Sequence, residues 1–311
     1  MSSILPILIY LVVLKFLDGF RLLRWWTVPW CIIAGALCCL VPFIVSQFIT
    51  VGQLMPLTEE ILKGCIALVL VRRKRIVFFA EALIYGATIG GGFALLENSI
   101  YLYYNPDMLL GTALFRGFAT SMLHMGCTAL VAVIILLAKY QRWTALLLPL
   151  PVALHYIYNM HLLPPIIQLG VTVVFFLIVF VAISIYNERR IYQWMDHSIT
   201  FDVQLLAAIK QGHLADTTAG KYLVGVRQQL DPEVFFDVIC FMQLYLELVV
   251  AGKSRMLLEQ EGLAMPLSAA EQQTHTEKLA ELQALKGRIG RIGIRILRPV
   301  ISLKDTDLRV L

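Results

Sequence analysis

The sequence is short of charge. Of its 311 residues, 15% are Asp, Glu, Lys or Arg and 59% are hydrophobic, where a soluble domain carries about 25% charged residues. Mean hydropathy is +0.76. These values exclude an ordinary water-soluble enzyme, a disordered chain and a small disulfide scaffold. Several signatures are also missing. There is no HExxH, no GxSxG and no paired-aspartate signature, which leaves zincin, serine and aspartyl hydrolases without support. There is no CxxC metal spacing, no nucleotide motif and no convincing internal repeat. The six cysteines (Cys31, Cys38, Cys39, Cys65, Cys127 and Cys240) read as packing residues, not a disulfide framework.

The shortage is uneven. Residues 1–187 hold eleven Lys/Arg and only six Asp/Glu, whereas residues 188–311 hold fifteen of each. The net charge of +5 therefore sits entirely in the first part. An all-α chain follows: a polytopic helical bundle over residues 1–190 and a charge-balanced helical domain over 191–311. The basic balance reflects membrane orientation and gives no reason to expect nucleic acid.

About twenty apolar residues cross a bilayer. Seven segments approach this: 2–20, 29–50, 55–71, 77–104, 113–138, 143–160 and 165–187. The first has no basic flank before it and no small-residue cleavage site, so it is not read as a removed signal peptide. The turns between segments alternate in charge. Lys15, Arg21 and Arg24, then Arg72 to Arg75, then Lys139 and Arg142, then Arg189 and Arg190 fall on one side. The turns near 51–56, 105–112 and 161–164 hold no Lys or Arg. The positive-inside rule places the N-terminus outside and the C-terminal domain in the cytoplasm.

The second domain shows helical spacing near 202–212, 217–229, 233–251, 253–262 and 269–297. Ser268 and Glu271 have the spacing of a capping box. Arg288, Arg291, Arg295 and Arg298 step along one face of the last helix. They form either a solvated face or a surface for an anionic leaflet.

Ionisable residues inside a bilayer are costly and default to functional hypotheses. The first group is Thr58-Glu59-Glu60-Ile61-Leu62-Lys63, where Thr58 is a candidate N-cap and both carboxylates can reach Lys63 across one turn. The bland reading is a helix start with a local ion pair. It explains one acid well and two acids with a lysine poorly. The second group is Phe93 to Glu97-Asn98, after Gly90-Gly91-Gly92. The third is His124 with Thr128, preceded by Arg116. The fourth is His155 with Asn159. Singly, each buried Glu or His is as easily a hydrogen-bond anchor. By the topology above, however, Glu59, Glu60, Glu97, His124 and His155 all fall in the outer half of the bilayer and can meet, while Glu81 falls on the inner side. Such a set can activate water, either as general base or through a bound metal. Two His with one Glu is a known Zn²⁺ ligand set, and a metal-free glutamate mechanism is equally open.

The order Glu59-Glu60-x-x-Lys63, Phe93-x-x-x-Glu97-Asn98, His124, His155-x-x-x-Asn159 on successive segments resembles the PrsW family. These polytopic intramembrane proteases are similar to the wider superfamily of CAAX-processing endopeptidases and bacteriocin-processing enzymes. The resemblance covers roughly residues 10–187. It implies Glu59 and Glu60 as the water-activating pair, with Lys63 holding one of them. Glu97, His124 and His155 are implied as ligands or oxyanion partners, oriented by Asn98 and Asn159; a Zn²⁺ ion would fall to His124, His155 and Glu97. Arg116 is added from its place two turns before His124. The implied activity is cleavage of a membrane protein, such as an anti-sigma factor in its site-1 cut, in a bacterial inner membrane. A channel or transporter using the same residues for protons or cations is the competing reading; it would call for an inverted repeat.

Overall fold

The computed structural model describes residues 4–16, 26–46 and 54–303. The expected basic turn with Arg21 and Arg24, and most of the first outer turn, lie outside them. Ten α-helices follow in order among the described residues: α1 (Ile4–Phe16), α2 (Thr27–Ser46), α3 (Met55–Arg72), α4 (Phe79–Tyr104), α5 (Leu110–Tyr140), α6 (Pro149–Asn159), α7 (Pro165–Lys210), α8 (Thr218–Val226), α9 (Pro232–Gln260) and α10 (Ala269–Leu297). No strand occurs among the described residues.

Five of these helices are long and apolar enough to cross a membrane: α2, α4, α5, α7 and α9. Three of the seven expected segments are not among them, and one helix from outside the seven is. Segment 2–20 is described only over the 13 residues of α1, and segment 55–71 is α3, which carries Glu59, Glu60, Lys63 and Arg72 within 18 residues. Segment 143–160 is a 3-10 turn, Arg142–Leu147, followed by the 11 residues of α6; Pro149 and Pro151 favour a helix start there. Conversely, α9 meets the length and composition of a span, although its sequence was expected to form two helices of a cytoplasmic domain. It buries Val238, Phe241, Met242, Tyr245 and Leu246 in a core shared with α10.

The chain divides into two compact units, Met1–Glu188 and Arg189–Leu311. In the first, α4 is the central helix. Its buried residues run unbroken from Phe79 to Ala94, because glycines let its neighbours approach closely. A Cβ on Gly90 would lie 2.1 Å from the His124 carbonyl oxygen, and one on Gly35 of α2 would lie 2.0 Å from the Ile89 carbonyl oxygen. Only a glycine permits backbone contact this close. The contact at Gly90 fixes the turn of α5 that carries His124.

The start of α4 explains one acid. Glu81 Oε2 accepts the Val77 and Phe78 backbone N–H groups at 2.8 and 3.2 Å. It satisfies N–H groups that the helix leaves open at this end.

In the second unit, Ser268 and Glu271 form the anticipated capping box on α10. The Ser268 backbone N–H and hydroxyl hold the exposed Glu271 carboxylate below the usual glutamate range. A buried Lys253 on α9 bonds Asp202 at 2.7 Å and Ser198 at 2.8 Å on α7.

Candidate active site

Four helices of the first unit bring polar side chains into one cluster. From α3 come Glu59, Glu60 and Lys63. Thr58 is not the N-cap expected from the sequence. Pro56 suits the first helical turn and the helix starts at Met55, so Thr58 lies inside it and its hydroxyl donates to the Met55 carbonyl at 2.8 Å. The two glutamates therefore sit one turn deeper than an N-cap would put them, about 6 Å in from Met55 at 1.5 Å per residue.

Glu60 and Lys63 are sealed, at 1% and 0% side-chain exposure. Lys63 Nζ donates to Glu60 Oε1 at 2.6 Å and meets His124 Nδ1 at 2.9 Å. The same Glu60 oxygen receives His155 Nδ1 at 3.0 Å. His124 Nε2 meets Glu97 Oε2 at 2.6 Å, and Arg116 Nη2 lies 3.4 Å from Glu97 Oε1. Arg116 also stacks on Tyr101, with Cζ 3.6 Å from the ring centre. The two imidazoles meet edge to face at 4.9 Å between centres, with Phe93 beside His124 at 4.9 Å and Lys63 Nζ 4.4 Å above the Phe93 ring.

The partners set the tautomers. An ammonium faces His124 Nδ1, so that nitrogen accepts and Nε2–H donates to Glu97. A carboxylate faces His155 Nδ1, so that nitrogen carries the proton. His155 Nε2 is then a lone-pair atom, and it faces Glu59 Oε2 at 3.8 Å. That distance is too long for a hydrogen bond, and Glu59 Oε2 is buried with no partner. One oxygen of Glu60 is likewise unpartnered. Counted as ionised, three carboxylates face the two cations Lys63 and Arg116, one negative charge in excess.

Glu59, His124 and His155 offer ligand atoms that all lie within 4.8 Å of one another. The orphaned Glu59 oxygen, the lone pair of His155 and the excess negative charge fit a divalent cation. Both His124 nitrogens have partners, so a metal would take His124 in exchange for one of them. Glu97, rather than completing the trio, holds His124 through a carboxylate–imidazole bond, the arrangement that orients metal-binding histidines elsewhere. The two supporting asparagines part company. Asn98 is buried, 3.5 Å from Ser121 Oγ, with its Oδ1 unpartnered. Asn159 is exposed at the last residue of α6, one turn beyond His155 where the helix ends. Tyr101 was not anticipated; an aromatic near the end of a span reads as an interfacial anchor, and nothing in its spacing links it to Arg116.

A sealed interior of Glu60, Lys63, His124 and His155 thus opens at Glu59, with 13% side-chain exposure, and at Glu97 and Arg116, with 32% and 28%. Such an arrangement can hold a water molecule at its mouth beside a carboxylate that lacks a partner. In comparisons with known proteins, the sequence model of one family, PrsW family intramembrane metalloprotease, matches residues 24–184. No curated protein and no solved structure matches.

Proposed function

Because the chain belongs to the PrsW family of intramembrane metalloproteases, we propose that the Glu59–Glu60–Lys63–Glu97–His124–His155 cluster is its catalytic centre, hydrolysing a peptide bond of a membrane protein in the outer half of the bilayer. The observation that carries this reading is the convergence of these side chains from α3, α4, α5 and α6 on one mouth lined by an unpartnered carboxylate.

Glu59 takes a proton from water, and the hydroxide attacks the scissile carbonyl carbon. The protonated Glu59 then returns that proton to the departing amine as the C–N bond breaks. Glu60 and Lys63 hold the imidazoles: Glu60 orients His155, and Lys63 and Glu97 grip the two nitrogens of His124. Arg116, braced on Tyr101, positions Glu97. His155, His124 (in exchange for Lys63 or Glu97) and one carboxylate oxygen of Glu59 would hold the metal, leaving the other Glu59 oxygen to take the proton; the metal's chemistry would be polarisation of the carbonyl and acidification of water. Burial makes each of these electrostatic contributions larger than it would be in water.

The topology we propose keeps seven crossings in a bacterial inner membrane, with the N-terminus outside, residues 1–190 as the protease domain and 191–311 as a cytoplasmic helical domain. The alternating basic turns support it. The 3-10 turn before α6 and α6 itself, at about 2.0 and 1.5 Å per residue, add to about 28 Å, close to the bilayer's apolar thickness of about 30 Å. An anti-sigma factor with a single span is one substrate of the class this site suits. A transporter using the same residues is not favoured, since the family match is to a protease.

The test is cleavage of a single-span membrane protein in proteoliposomes by wild-type protein, Glu59→Gln and His155→Ala. Glu59→Gln is expected to keep its thermal unfolding midpoint within a few degrees, and both variants are expected to lose cleavage by on the order of 10³-fold or more, the scale at which an essential acid–base group acts. Cleavage at the wild-type rate by both would reject the site. Removing metal with a membrane-permeant chelator is expected to abolish cleavage, and Zn²⁺ to restore it.

A further inference from the structure

The arginine steps of α10 take no part in the site described above. Between Lys286 and Arg298 the chain carries five basic residues and no acid, although Glu271, Glu277 and Glu281 precede them on the same helix. Lys286, Arg291, Arg295 and Arg298 are exposed. Arg288 is committed to Asp237, bonding both carboxylate oxygens at 2.8 and 3.1 Å. Arg291, Arg295 and Arg298 make no ion pair among the described residues.

The helix breaks just before them. Gly290 has φ 58° and ψ −161°, a conformation essentially reserved for glycine. Beyond the break, Gly293, Ile296 and Leu297 are buried, and steps of four and three place the three free arginines together on the opposite face. An apolar side chain stands beside this face. Ile292, next to Arg291 in the chain, is 64% exposed. A solvated helix face mixes charge signs, as the first half of α10 does. A face of one sign, without acids and with an exposed aliphatic side chain at its edge, is the pattern of a helix lying in a lipid interface.

We propose that the Arg291–Arg295–Arg298 face docks on anionic lipid headgroups, with the guanidinium groups on phosphates and Ile292 entering the boundary between headgroups and acyl chains. This rests on the reading that the second unit lies on the cytoplasmic side, where the leaflet is anionic. The chain's own spans tether the face to the bilayer, so docking is an intramolecular equilibrium governed by headgroup charge.

The experiment is hydrogen exchange of the full-length protein in nanodiscs of phosphatidylcholine alone and of phosphatidylcholine mixed with phosphatidylglycerol. Both bilayer faces carry the same lipid, so the result depends neither on sidedness nor on proteolysis, and its failure would leave the protease reading standing. Residues 286–298 are expected to exchange more slowly in the anionic discs. Three basic side chains correspond to a docked-to-free ratio on the order of a hundredfold. The protection should vanish at about 1 M salt, where the Debye length is about 3 Å. It should vanish in R291Q/R295Q/R298Q and persist in R291K/R295K/R298K, with the rest of α9 and α10 exchanging as in wild type. Equal exchange in the two kinds of disc, or protection in anionic discs that survives the glutamine variant, would overturn the proposal.

Discussion

Glu60 joins two side chains of the cluster through a single oxygen. Its Oε1 is shared by Lys63 and His155 at 2.6 and 3.0 Å, and the side chain is buried. Removing one partner of a buried pair strands the other charge, at about 3–5 kcal/mol. Lys63→Met is therefore expected to lower stability by that amount, read as a fall in the thermal unfolding midpoint in detergent. The double variant Glu60→Met/Lys63→Met should recover most of the loss while remaining inactive. An unchanged midpoint in the single variant would show that the pair bears no such load. The i,i+3 relation of these two residues is legible in the sequence, as is the oddity of two histidines in apolar runs. Their pairing is not, because His155 lies 95 residues from Glu60 and no local rule links them. The division of labour among the acids is equally hidden. The spacing left Glu97 as a candidate ligand, but its bond to His124 makes it the group that orients the imidazole, and Glu59 offers the free oxygen instead.

Among the elements, α4 matters most to the site because its glycines set the distance to α5. Gly90→Val would drive a side chain into the His124 carbonyl, where even the first carbon would sit at 2.1 Å. We expect a cost of about 1–3 kcal/mol from the forced separation and loss of cleavage as Glu97 and His124 part. Wild-type cleavage by a folded Gly90→Val protein would contradict the close packing. The Gly90-Gly91-Gly92 run announces close packing in the sequence but not which helix it admits. Helix starts differ in how much of their cap is local. The capping box at Ser268 and Glu271 was legible because both partners are local. The start of α3 was misread at Thr58 because Pro56 can open the helix without a side-chain cap. The same capping box carries a pH dependence. Glu271 is held below its usual range when folded, so its contribution is fully present above about pH 4.3 and is lost as the pH falls through the lower folded value. Hydrogen exchange at 269–273 should quicken over that acid interval in wild type, and Ser268→Ala should exchange fast already at neutral pH.

At the scale of the whole molecule, the scarcity of acids in the first 187 residues, six in all, marks membrane residence and also picks out the cluster proposed for the chemistry. Three of them meet two histidines in one cluster, and Glu81 is spent on the start of α4. Hydropathy gave the all-helical class. It does not settle the individual crossings: α6 is short, polar side chains interrupt α3, and α9 is apolar enough to cross a membrane while burying part of its surface in a core shared with α10. The central claim is that this cluster hydrolyses a peptide bond in the outer half of the bilayer. The most direct test is mass spectrometry of a single-span substrate cut by purified protein in ¹⁸O-labelled water. The account predicts one new C-terminus carrying ¹⁸O, at a bond in the outer half of the substrate's span or just outside it, and no such product with Glu59→Gln. A labelled product formed equally by Glu59→Gln, or a cut on the cytoplasmic side, would contradict it.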